Sequence, residues 1–77
     1  MKNITFEGHK VAYNAKAITS WKVQRLMSKG GADAFEAIDI VLGGKADEVA
    51  EQLGGDMDTM ARLIAAIVEN EGDSAKN

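Results

Sequence analysis

The first thirteen residues alternate between apolar and polar. Ile4 and Phe6, then Val11 and Tyr13, are apolar at every second position on either side of Gly8. Period-two alternation places such side chains on one face of paired strands. Glycine supplies the positive φ that a tight turn requires, so Glu7-Gly8-His9 predicts a hairpin loop. A lone hairpin is marginal in water and must be covered by helices or joined to a larger sheet.

Beyond Tyr13 the period becomes helical. A first helix is expected from about Thr19 to Ser28, with Ile18, Val23, Leu26 and Met27 on one broad face and Trp21 at its edge. A second is expected over Asp33 to Leu42. Phe35, Ile38, Val41 and Leu42 share one side, and Ile40 points nearly the other way. A third, over Ala46 to Leu53, has Ala46, Val49, Ala50 and Leu53 at i, i+3, i+4, i+7. The fourth starts near Asp56 or Asp58, where a carboxylate can cap free N–H groups, and runs to about Asn70. Its stripe is Met57, Met60, Ala61, Ile64, Ile67 and Val68, with Leu63 on the shoulder. Double glycines at 30–31, 43–44 and 54–55 punctuate the helices. The expected fold is α+β: an N-terminal β-hairpin followed by four short helices packed as a small bundle. Residues 1–71 form one domain, and 72–77 are a flexible polar tail.

Composition narrows the function more than the fold. The chain has 77 residues, 45% hydrophobic and 27% charged, with no cysteine and a formal net charge of −3. A domain this small has a modest core, and some of its size need a partner. Without cysteine there is neither a disulfide framework nor a Cys-based zinc site. No run reaches the roughly 20 apolar residues of a membrane span, and the N-terminus does not read as a secretory leader. The protein is expected to stay where it is made.

Candidate chemistry is sparse. His9 is the only histidine and has no second ligand or base nearby in sequence. Gly43-Gly44-Lys45-Ala46 lacks the buried strand and the hydroxyl of a phosphate loop. Gly55-Asp56-Met57-Asp58-Thr59 lacks the third oxygen ligand and distal glutamate of a calcium loop, so capping explains its acids. No catalytic residue, cofactor or metal site is expected. A helix-turn-helix reading finds Asp33, Glu36 and Asp39 where a recognition helix should be basic. Five apolar residues are left as candidate partner contacts: Trp21, Ile40, Leu63, Met57 and Met60. Taken singly, each is more economically read as core. Taken together, they suggest an adaptable apolar surface, since methionine accommodates varied partners and tryptophan is enriched at interface hot spots.

The order of features resembles a known family. A hairpin written Ile-Thr-Phe-Glu-Gly-His-Lys-Val precedes a Ser20-Trp21-Lys22 helix start. Asp33-Ala34-Phe35-Glu36-Ala37-Ile38-Asp39 and a Val41-Leu42-Gly43-Gly44 helix end follow, before an acidic-started last helix. Over roughly residues 3–70 this resembles the tail assembly chaperones of long, non-contractile-tailed (siphovirus-type) bacteriophages and prophages. The resemblance implies a non-enzymatic chaperone in the cytoplasm of the bacterial host, absent from the mature virion. It would bind the tape measure protein, keep it soluble and help recruit tail tube protein during virion morphogenesis. It leaves homo-oligomer formation and a frameshifted longer form open; the scattered basic residues and the lack of a long apolar run argue separately against a nucleic-acid or membrane partner. The alternatives are a small DNA-binding or transcription-regulating helical domain, or an antitoxin-like interaction module.

Overall fold

The structure, a computed structural model, describes residues 1–75, with side chains through residue 71. Strand β1 (Lys2–Phe6) pairs antiparallel with β2 (His9–Tyr13), Ile4 opposite Val11 and Phe6 opposite His9. The loop is only Glu7-Gly8, at φ 48° and 81°. Positive φ at both central residues matches the twist of the flanking strands, as in a type I′ turn. His9 therefore opens β2 instead of sitting in the loop. Ile4, Phe6, Val11 and Tyr13 share one face, as their alternation requires, and Val11 and Tyr13 are buried.

Five helices follow, one more than expected: α1 (Ala15–Ile18), α2 (Trp21–Lys29), α3 (Gly31–Val41), α4 (Ala46–Gln52) and α5 (Met57–Ala75). The extra one, α1, is a single turn whose cap, Asn14, accepts a hydrogen bond from the Lys16 amide at 3.1 Å. One turn is too short to show a hydrophobic period, and α1 takes Ile18 away from the stripe of α2. Ser20 caps α2, and α2 packs along α3. At the other end of the chain, α5 continues past Asn70 to Ala75. The expected flexible tail thus begins inside a helix, and its last residues, 76–77, lie outside the described residues.

The double glycines do two different jobs. After α3, the Gly43 amide bonds Ile40 O at 3.1 Å and the Gly44 amide bonds Asp39 O at 2.8 Å. After α4, Gly54 bonds Glu51 O at 3.2 Å and Gly55 bonds Ala50 O at 2.7 Å. Both are Schellman endings, which satisfy carbonyls the helix leaves free. Gly30, by contrast, ends α2 and begins α3 at once, so those helices abut with no loop between them.

The core gathers Val11 and Tyr13 from the hairpin, Ile18 and Val23 from α1 and α2, Ala37 and Val41 from α3 with Leu42 after it, and Met60, Leu63, Ile64 and Ile67 from α5. Leu63, placed on the shoulder by the periodicity, is fully enclosed. The true α5 stripe is 60, 63, 64, 67, one step round from the expected one, and this shift leaves Met57 and Val68 exposed. A similar rotation affects α3, where Ile40 packs against the core while Phe35 faces outward.

Candidate functional site

The α5 stripe runs on into a polar clasp. Tyr13 is completely buried, and its hydroxyl donates to Glu71 Oε2 at 2.6 Å and accepts from Asn70 Nδ2 at 2.9 Å. Lys2, directly opposite Tyr13 in the hairpin, reaches Glu71 Oε2 at 3.0 Å. Asn70 and Glu71 lie one turn beyond Ile67, on the face that α5 turns toward the hairpin. Burial, then the Glu71 carboxylate, push the Tyr13 hydroxyl above the ordinary tyrosine value. The Tyr13 hydrogen bond and then Lys2 hold Glu71 below the ordinary carboxylate range. Every buried side-chain polar atom among the described residues has a partner. The clasp is therefore a closed, satisfied tie between hairpin and helix. A second tie joins Arg62 of α5 to Glu7 in the hairpin turn and to Asp58.

The first turns of α5 border an open groove. Phe35, Ile38 and Asp39 of α3, Ala46, Asp47 and Ala50 of α4, and Met57, Met60 and Ala61 of α5 line a groove of about 430 Å³ together with Gly44. Each helix contributes residues at i, i+3 or i, i+4, so three short stripes converge. Ala46 and Ala50 are half-buried and Ala61 is exposed, so the lining is low at three positions. Phe35 and Met57 stand at the lip, 54% and 59% exposed. Asp39 and Asp47 are the only charged residues in the wall, and both are acids. The Asp39 carboxylate also accepts from the Ala46 amide at 3.2 Å, which fixes the start of α4 against α3. A second hollow of about 520 Å³, between the hairpin and α4, has Met1, Val11, Leu42 and Val49 behind the mixed charges of Lys10, Lys45 and Glu48.

Of the five residues singled out in the sequence, the groove unites two. Met57 is on the lip, and Met60 is buried behind the wall. Trp21 is 81% exposed in the first turn of α2 but does not line the groove. Ile40 is half-buried against the core, and Leu63 is sealed inside it, so Leu63 is corrected from candidate contact to core residue. Phe35, Ile38 and the lining alanines were not anticipated. The available signal was Phe35 at the margin of its stripe, facing a helix whose inward positions include two alanines.

Among the described residues, no group of three or more His, Cys, Asp or Glu side chains could hold a metal ion. No described helix is long and apolar enough to cross a membrane. No protein-family model, curated protein or solved structure matches the chain.

Proposed function

We propose that this protein is a non-enzymatic assembly chaperone of the phage-tail type, binding the tape measure protein in the host cytoplasm and helping recruit tail tube subunits. The observation that carries this reading is the groove: apolar side chains are left exposed at the junction of three helices in a domain small enough to have used them for its core. An exposed apolar surface of this kind marks an interaction site. The ordered sequence resemblance supplies the object of that interaction. The fully exposed Trp21 adds a second apolar contact point on another part of the surface.

Co-expression with the long tape measure protein tests the reading. The tape measure protein should move from the insoluble to the soluble fraction and co-purify with this chain. Unchanged solubility would rule the chaperone function out.

A further inference from the structure

We propose that the groove between α3, α4 and the start of α5 binds an amphipathic helix whose apolar face is flanked by Lys or Arg. The inference deepens the chaperone reading and rests on it only for the identity of the protein that carries the helix.

Shape is the first argument. A trough walled by helices, with alanines in its lining and the exposed Phe35 and Met57 beside them, suits a helix presenting side chains at i, i+3, i+4 and i+7. The missing volume over Ala46, Ala50 and Ala61 is where such side chains would sit. Met57 can change rotamer to close over them at low cost.

Charge is the second argument, and it selects the partner. The wall holds Asp39 and Asp47 and no Lys, Arg or His. Helix polarity alone explains an acid in the first turn of α4. The Asp39 bond to the Ala46 amide likewise accounts for the second acid, and together the two leave the border of the apolar hollow negative, beside the exposed Phe35 and Met57. Acids beside an apolar trough attract a basic-flanked helix and repel an acidic one, so they set specificity as well as encounter rate.

The test uses two labelled synthetic helices of about 16 residues, roughly four turns. They share one apolar face, flanked by Lys in one and by Glu in the other. Fluorescence anisotropy on the full chain should show the Lys-flanked helix binding at least about tenfold more tightly, with affinity falling as salt is added. Asp47→Lys should reverse that preference, and Ala61→Phe should abolish binding of both helices by placing a large side chain in the groove. Trp21→Ala should leave binding unchanged. Circular dichroism of each variant separates loss of binding from loss of fold, and the conservative Asp47→Asn should weaken the preference without reversing it. Equal binding of the two helices, binding of neither, or loss of binding only in Trp21→Ala would overturn the proposal. So would sedimentation showing wild-type self-association that Ala61→Phe abolishes, because a second copy would then be the occupant. Co-expression separates the two levels of inference. If Ala61→Phe keeps the tape measure protein soluble as well as wild type does, the groove assignment falls and the chaperone reading stands. If wild type never solubilises it but the Lys-flanked helix binds as described, the chaperone reading falls and the groove assignment stands.

Discussion

The two ends of α5 show opposite ways of meeting a neighbour. In its later turns Leu63 and Ile67 are fully enclosed, and Glu71 ties the helix to the hairpin in the Tyr13–Glu71–Lys2 clasp. Toward α3 and α4, small residues leave a trough, and the large residues stand at its lip instead of entering it. The same helix thus holds the fold together with its later turns and offers surface with its first. Burial of one leucine stabilises by about 2 kcal/mol, so leaving Phe35 and Met57 outside is a substantial sacrifice in a domain of this size.

The largest expected break in this comparison is Leu63→Ala. Removing a fully enclosed leucine should cost about 2 to 5 kcal/mol, enough to unfold much of a small domain. Urea denaturation would read this as a collapsed midpoint. Full retention of stability would place Leu63 outside the core.

Next in size is Tyr13→Phe. It leaves the ring packed but removes the hydroxyl between Glu71 and Asn70, at an expected cost of about 1 to 2 kcal/mol in the same assay.

The clasp should also give the protein a pH signature. Glu71 is held below its ordinary value of 4.5, so its contribution is complete above that pH and disappears as pH falls through the lowered value. Tyr13 is raised above 10.0, so its contribution is complete below that pH and is lost as pH climbs through the raised value. Denaturation midpoints across acid pH should fall less steeply in Glu71→Gln than in wild type. Identical slopes would show that the carboxylate is not engaged.

The smallest effect belongs to the open end. Met57→Ser should change stability by no more than about 0.5 kcal/mol, because an exposed side chain gives up little on truncation. A loss comparable to that of Leu63→Ala would mean that the groove is core and that the contrast between the two ends of α5 is false.

What the sequence disclosed follows the same division. Alternation placed all four hairpin residues on one face, and the double glycines marked the ends of three helices. Their chemistry is local, in turn φ angles and caps. The rotational setting of α3 and α5 was harder to read. Their apolar arcs are wider than a single contact face, so periodicity does not choose between Phe35 and Ile40, or between Met57 and Leu63. The neighbouring elements decide it: α5 packs on β1 and α1, and α2 lies along α3. The single-turn α1 was invisible to periodicity, and the clasp links residues 58 positions apart. Only Met57 and Met60 of the groove could be singled out, because its defining property is space, which alanines create and no motif spells.

The paired Schellman endings have a dynamic consequence. Helix α4 lies between them and contributes no fully buried residue. Its seven residues are held by the glycine ending after it, by the Asp39 bond to its first amide and by partial packing of Ala46, Val49 and Ala50, with Leu53 just beyond. Such a segment opens locally at much lower free energy than the core helices. Its amides should exchange with solvent well before those of α5. One bank of the groove is therefore a yielding one, able to move outward and admit helices of unequal girth while the rest of the domain stays folded.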